Sequence, residues 1–599
     1  MNKLKETLNL EQWKNFIKVM KENKAKFIQM FFVVIIASLS ITMVPIYLKY
    51  FIDNFIAQKS LVGIKYAAFF FFLVIIIAVL SIYLFLVIGG KIEYKIAYQL
   101  REEAFLKSQK LSLNYYDSHS TGETLAILTS DITKLSEIIS WGIIDLTYNL
   151  MVFIISIVAL LILSPKLTFM SLLIGIPIAL ISKFFQERIL KYQRKVRHYN
   201  SVIFNDFNEN IQGTLTTKTL NTEEISYEHF KKNTKSMKYY SIKSFKISGI
   251  YVPLVMFLGS IGAAIALNLS SKMVLSGEMT FGTFAAFLTY AVQIFTPIRV
   301  IAKIASDFKT ATASVERVNN LFSEKENIKD SDNLVNLYGN IFEPKIESYP
   351  EMRGDIEFKN VDFGYDDKNL ILKNFNLKVK AGESIALVGA TGSGKSTIIN
   401  LLCRFYEPTS GHILIDNKDY KEFTRGYIYN NLGYVLQSPF LFSGTIFSNI
   451  KSGKLDASYE EVVEASKIVG AYDFIMKLPD KFDTIIEEGG NSLSTGQKQL
   501  ISFARAIIRD PKLIVLDEAT SSIDSKTEKT IQKAIDKIVK NKTSFIVAHR
   551  LSTIKNSDRI LVIDNGEIVE SGTHDELIEK KQKYYNLYTN QFVLNSTNI

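Results

Sequence analysis

The chain has 599 residues, of which 47% are hydrophobic, with a mean hydropathy of +0.12 and a formal net charge of +10. That length calls for more than one domain, and the apolar share is high for a water-soluble protein and points to membrane segments. A single cysteine, Cys403, excludes an intrachain disulfide and a structural cysteine zinc site.

The N-terminus is polar and rich in lysine up to Lys26, which is not the pattern of a cleavable signal peptide. Within Glu11 to Lys24, Trp13, Phe16, Ile17 and Met20 share one helical face and Lys14, Lys18 and Lys21 the other, the pattern of an interfacial helix on the inner leaflet. Six apolar stretches of spanning length follow, near residues 27–52, 66–88, 141–163, 167–185, 246–267 and 281–303. Basic residues crowd the N-terminus and the loops Lys91–Lys134 and Lys183–Lys243, while the opposite connections carry only Lys59, Lys65, Lys166 and Lys272. This positive-inside asymmetry puts the N-terminus, both long loops and the C-terminal half in the cytoplasm. The placement accounts for the positive charge without nucleic acid, for which no basic face with stacking aromatics is evident. The spans are aromatic and mostly uncharged. Asp145, just inside the third, reads either as a carboxylate of a substrate cavity or as a solvated or paired group at the inner interface. Tyr290 and Gln293 in the sixth read either as cavity-lining groups or as bonds between helices.

Residues 1–320 thus read as an all-α membrane domain, 321–352 as a polar linker and 353–599 as an α/β domain. Gly354 to Phe358 and Leu377 to Val379 alternate like strands. The apolar run Ser384–Val388 leads into Gly389-Ala390-Thr391-Gly392-Ser393-Gly394-Lys395-Ser396-Thr397 and then a helical pattern. This is a phosphate-binding loop in its strand–loop–helix setting. Its glycines turn backbone N–H groups onto phosphates, Lys395 reaches the β- and γ-phosphates, and the Ser396 hydroxyl ligates Mg²⁺. Cys403 falls in the helix beyond and reads as a packing residue. Leu513 to Leu516 form a second buried-strand pattern ending in Asp517 and Glu518. Asp517 suits Mg²⁺ and Glu518 a base that polarises attacking water.

Between these motifs lies Leu493-Ser494-Thr495-Gly496-Gln497, followed by a helical pattern from Lys498 to Ile508. Here the sequence resembles the ATPase domain of ABC transporters, whose signature is usually Leu-Ser-Gly-Gly-Gln. Six spans fused to one such domain resemble a half-transporter of the exporter type, and the likeness covers nearly the whole chain. The resemblance implies roles for several residues. Tyr365 stacks on adenine. Gln437 joins the metal site to the transmembrane part. Asp524, in Ser521-Ser522-Ile523-Asp524, belongs to the loop that crosses to the second subunit. His549 is the switch histidine on the γ-phosphate. Ser494, Thr495, Gly496 and Gln497 act on the partner's nucleotide. Tyr115-Tyr116-Asp117 with Gly122-Glu123, and Gln212-Gly213 through Lys218, look like the two coupling helices that dock on ATPase domains.

The implied activity is ATP hydrolysis, with ATP and Mg²⁺, coupled to alternating-access export of a hydrophobic or amphipathic substrate (drug, lipid or peptide) across the cytoplasmic membrane of a bacterium. An importer on the same architecture and a regulatory or channel-like member are the alternatives. The chain works with a second half-transporter, in contact with membrane lipid. Thr495 in place of the usual glycine, alongside an intact Glu518, resembles the catalytic half of heterodimeric exporters and favours a heterodimer over a homodimer.

Overall fold

The computed structural model describes residues 14–366, 369–490, 492–517, 525–547 and 554–596, with some side chains inside helices not described. The chain divides into two compact units. One comprises residues 1–109 and 122–323, the other residues 110–121 and 324–599.

In the first unit the apolar stretches form long helices. The helix α1 spans Lys14–Glu22, and Asn23 separates it from α2, Lys24–Phe51. Phe16 and Val19 of α1 are buried and Ile17 is exposed, so the helix packs along Phe16 and Val19 and leaves Ile17 facing outward. Asn23 fixes the junction by donating to Gln99 at 2.9 Å. The helix α3, Ile64–Lys110, is 47 residues long, some 70 Å at 1.5 Å per residue, and so runs well beyond an apolar slab of about 30 Å. The short α4, Leu113–Ser118, belongs to the second unit. Helix α5 covers Thr121–Leu163 with π-helical turns at Ile127–Asp131 and Ile138–Gly142. Next come α6, Pro165–Gln212; α7, Thr214–Thr219; α8, Glu223–Leu275; α9, Phe281–Gln293; and α10, Phe295–Ser323. Ser164 caps α6 through the Leu167 N–H, with Pro165 at its first turn, where its missing N–H costs nothing.

Among the described residues, four helices are long and apolar enough to cross a membrane: Lys24–Ile56, Ile64–Lys110, Thr121–Leu163 and Glu223–Leu275. The fourth expected span lies in α6, several of whose side chains are not described, and the sixth falls on α9 and α10, which meet at Ile294. On the outer side, Asp53 accepts from the Gly282 N–H and the Thr280 hydroxyl, both at 2.8 Å, and so ties the end of α2 to the start of α9. Near the other end of α5, Asp131 accepts two bonds from Arg317 of α10, at 2.6 and 2.7 Å, and a third from Ser314.

The second unit is α/β. One antiparallel sheet has the order β2-β1-β4-β5, from β1 Ile356–Phe363, β2 Leu372–Val379, β4 Ser410–Ile415 and β5 Lys418–Asp419. A six-stranded sheet has the order β12-β11-β3-β10-β9-β6, from β3 Ser384–Val388, β6 Leu432–Val435, β9 Leu513–Asp517, β10 Thr543–Val547, β11 Arg559–Asp564 and β12 Glu567–Gly572. Its central strands pair in parallel. Every residue of β3 and β10 is buried, the continuous apolar run that a parallel strand covered on both faces requires. A third, two-stranded sheet pairs β7 Gly444–Thr445 with β8 Ile485–Ile486.

Candidate nucleotide site

β3 delivers the chain to the phosphate loop, and helix α11, Lys395–Leu402, leaves it. Two glycines set the loop's shape. Gly389 has φ 156° and a Cβ there would lie 2.2 Å from the Ile563 carbonyl oxygen, so a side chain cannot be accommodated. Gly394 has φ 106° and enters the helix from the left-handed region that favours glycine. Thr391 and Gly392 are exposed at the loop tip, and Ser396 is exposed on the first turn of α11, while Ser393, Lys395 and Thr397 are buried. The Lys395 ammonium curls back on the loop and donates to the carbonyls of Gly389 at 2.9 Å and Ala390 at 2.8 Å. Burial holds its pKa below the ordinary lysine value, against the opposing pull of the Asp517 carboxylate. The Ser393 hydroxyl is buried with no hydrogen-bond partner. A cation folded onto neutral carbonyls and an orphaned hydroxyl in one loop form a donor set suited to phosphate oxygens.

Asp517 ends β9 and lies opposite Val547 of β10. β6 runs beside β9 with Val435 opposite Leu516, so Gln437, two residues past β6, lies at the same sheet edge and is exposed. Ser396, Gln437 and Asp517 offer only oxygen ligands for a metal, which is the hard donor set Mg²⁺ takes. Among the described residues no group of three or more His, Cys, Asp or Glu could hold a metal ion, so phosphate oxygens and water would complete any such site. Glu518, Asp524 and His549 lie outside the described residues.

Tyr365 follows β1 and is 45% exposed. Its hydroxyl accepts from Asn400 of α11 at 3.0 Å and lies 3.5 Å from that of Thr397. Its ring meets the Tyr406 ring edge-on at 5.0 Å. The Tyr406 hydroxyl donates a short bond to Asp117 on α4, and burial, reinforced by that carboxylate, raises its pKa. Asn114, Asp117 and Ser118 of α4 thus line, with Tyr365, Asn400 and Tyr406, one cavity of about 500 Å³. Tyr406 and Asn400 were not singled out from the sequence. The aromatic pair Phe405-Tyr406 just beyond the phosphate-loop helix is the only signal for them. Cys403 is fully buried at the end of α11, where burial pushes its thiol up, as a packing residue requires.

The signature segment opens helix α12, Thr495–Ile507. Ser494 is its N-cap, accepting from the Gln497 N–H, while the Gln497 side-chain oxygen accepts from the Ser494 N–H at 3.0 Å. This capping box commits the Gln497 oxygen locally. Ser494 and Thr495 are exposed at the positive end of a 13-residue helix, and Gly496 is buried. No hydrogen bond among the described residues joins Ser494–Gln497 to the phosphate loop. In the first unit, Asp145 is half-buried, with Lys303 as its electrostatic partner. Tyr290 is fully buried and donates to the Thr42 carbonyl of α2, and Gln293 is half-buried at the end of α9. Helix α7, the second segment expected to resemble a coupling helix, buries none of its residues.

Long membrane helices and a phosphate-loop α/β domain in one chain define an ATP-driven membrane transporter. The profile of the ABC transporter transmembrane region matches residues 27–298, and that of the ABC transporter ATPase matches residues 372–521. The chain is 36% identical over 573 residues to the uncharacterized ABC transporter ATP-binding protein YfiC of Bacillus subtilis (strain 168), covering 95% of this chain and 92% of that protein. It is 34% identical over 559 residues to the putative multidrug export ATP-binding/permease protein YgaD of the same organism, covering 91% and 93%. It is 32% identical over 503 residues to the ATP-dependent lipid A-core flippase of Syntrophus aciditrophicus (strain SB), covering 83% and 81%. Its fold matches a bacterial Atm1-family ABC exporter with ATP bound at a TM-score of 0.76 and 25% identity, over 95% of this chain and 98% of that one. The chain belongs to the ABC transporter family. It is an ATP-hydrolysing half-transporter of exporter architecture, multi-pass in the bacterial plasma membrane, with its ATPase domain in the cytoplasm.

Proposed function

We propose that this chain is the catalytically competent half of a heterodimeric exporter for a hydrophobic or amphipathic compound. The observation that carries the reading is the contrast between its two nucleotide-facing elements. The phosphate loop keeps each part the chemistry needs, with Lys395 buried beside Asp517. The signature helix, by contrast, presents exposed Thr495 where close approach of backbone to phosphate favours glycine.

In this reading the residues 389–397 cradle the phosphates, and Lys395 exchanges its two carbonyl partners for phosphate oxygens. Tyr365 stacks on the adenine. Ser396, Asp517 and Gln437 hold Mg²⁺, which when bound neutralises charge on the phosphates. Glu518 orients the attacking water, His549 contacts the γ-phosphate, and Asp524 reaches across the dimer. Ser494 and Gly496 aim a helix N-terminus at the partner's nucleotide, while Gln497 holds that turn in shape. Asp145 and Gln293 are the candidates for contact with the transported molecule, with Tyr290 bracing the helix beside them. The residues 1–320, 321–352 and 353–599 serve as transmembrane domain, linker and ATPase. The names of two relatives, a multidrug exporter and a lipid flippase, agree with an amphipathic cargo.

The test uses Glu518→Gln in the full chain, co-expressed with a second half-transporter. ATP binding should persist while turnover falls by a hundredfold or more, on the order of a lost catalytic base. Undiminished hydrolysis would remove Glu518 from this role. ATP-driven uptake of a labelled amphipath into inverted vesicles reports export. Uptake into right-side-out vesicles would make the chain an importer.

A further inference from the structure

Much of the molecule's positive charge lies on one pair of helices. Between Lys183 and Arg197 on α6, and between Lys235 and Lys246 on α8, there are ten lysines and arginines and one carboxylate, Glu187. The two stretches lie side by side. The rings of Phe185 and Tyr251 stack at 5.6 Å, and those of Tyr192 and Tyr240 at 6.3 Å, so both rows of cations sit at one level of the helix pair. That level begins where the apolar parts of α6 and α8 end. Other cytoplasmic helix extensions are not one-sided: residues 91–110 carry five basic and three acidic groups, and residues 121–137 carry one and three. The positive-inside rule alone therefore does not account for the concentration.

Among the described residues none of the ten cations forms an ion pair with a carboxylate. Nine are exposed, and Lys243 is half-buried. Those with partners use uncharged aromatic side chains: Arg188 lies 4.0 Å from the Phe184 ring centroid, Lys195 donates to the Tyr240 hydroxyl at 3.2 Å, and Lys243 hydrogen-bonds Tyr239. Such contacts leave the positive charge intact. At the upper margin Phe184, Phe245 and Ile250 are exposed apolar side chains. Apolar groups above and unneutralised cations below match a phospholipid, with acyl chain above and anionic headgroup below.

We propose that the paired basic stretches of α6 and α8 form a binding belt for the anionic phospholipid headgroups of the inner leaflet. Single-stranded nucleic acid is the poorer fit, because the tyrosines are stacked on one another and the apolar margin has no role in it.

The experiment is native mass spectrometry of the detergent-solubilised full chain, titrated separately with phosphatidylglycerol and phosphatidylcholine. The wild type should bind phosphatidylglycerol at least about fivefold more tightly. The combined variant K183Q/R188Q/K191Q/K246Q should lose that preference. A control, K91Q/K95Q/K107Q/K110Q, removes equal charge elsewhere and should keep it. The milder R188Q/K191Q, at two exposed side chains, decides the matter if the fourfold variant does not fold, and should at least halve the preference. Equal affinity of the wild type for the two lipids would overturn the proposal, as would a preference that survives in the belt variants or disappears equally in the control. Tighter binding of a short RNA than of phosphatidylglycerol would overturn it as well.

Discussion

Lys395 spends its charge on two backbone carbonyls of its own loop, 2.9 and 2.8 Å away, rather than on a carboxylate. Such partners are easily exchanged, because a phosphate oxygen offers a charge-assisted bond about twice as strong. Lys395→Ala is expected to weaken Mg-ATP binding by at least tenfold, as read by equilibrium binding of a fluorescent nucleotide. Unchanged affinity would place the phosphates elsewhere. A different buried cation works structurally. Arg404, 2% exposed, pairs with Asp330 at 3.3 Å and Glu407 at 2.9 Å and donates to the Phe423 carbonyl at 2.7 Å. Asp330, 4% exposed, also takes the Arg425 N–H at 3.1 Å. It fastens the segment that precedes the ATPase strands. Asp330→Ala leaves the guanidinium buried with half its compensation, which costs about 3–5 kcal/mol. A fall of several degrees in the thermal midpoint of the second unit is the expected reading. No change would mean that Arg404 finds water instead.

Elements convert these residues into motions. Helix α4 is only six residues long, yet Asp117 holds Tyr406, whose ring abuts Tyr365. If nucleotide stacks on Tyr365 as proposed, its binding and the position of α4 are linked through one hydroxyl. Tyr406→Phe keeps the ring contact and deletes the bond. ATP-driven uptake of an amphipathic dye into inverted vesicles should drop severalfold while ATPase activity in the same vesicles persists. Parallel loss of both would make the bond structural. Where α5 meets α10, burial of Asp131 works to raise its pKa, but the hydrogen bonds from Arg317 and Ser314 and the Arg317 charge outweigh it, so the carboxyl lies below the usual carboxylate range. A carboxyl with a depressed folded pKa stabilises fully above its unfolded pKa of about 4, and that contribution fades as pH falls through the lower folded value. The first unit should lose thermal stability below about pH 4, and Asp131→Asn should flatten that part of the profile. An identical acid limb in the variant would assign it to another group.

At the scale of the molecule, two chemistries were legible to different depths. The conformation of the phosphate loop was legible, because the positive φ of Gly389, Gly392 and Gly394 and the strand–loop–helix setting are encoded in adjacent residues. The strand ending at Asp517 could be read from its apolar run alone. The burial of Phe16 and Val19 of α1 comes from tertiary packing, which local periodicity does not contain. The bond between Asp117 and Tyr406 joins residues 289 apart in the chain, and no window on the sequence brings them together. The sequence offers two readings for Asp145, cavity or inner interface, and its half-buried position facing Lys303 supplies the charge against which they can be weighed.

A composite site calls for a second half: ABC exporters dimerise, and the signature helix would serve the partner's nucleotide. The most direct measurement is Mg²⁺-ATPase activity in lipid nanodiscs, for this chain alone and co-expressed with a second half-transporter. The account predicts little turnover alone, robust turnover with the second half, and loss of that turnover when this chain carries Glu518→Gln. Full turnover in the pair carrying Glu518→Gln would contradict it, because hydrolysis would then take place outside this chain's phosphate loop.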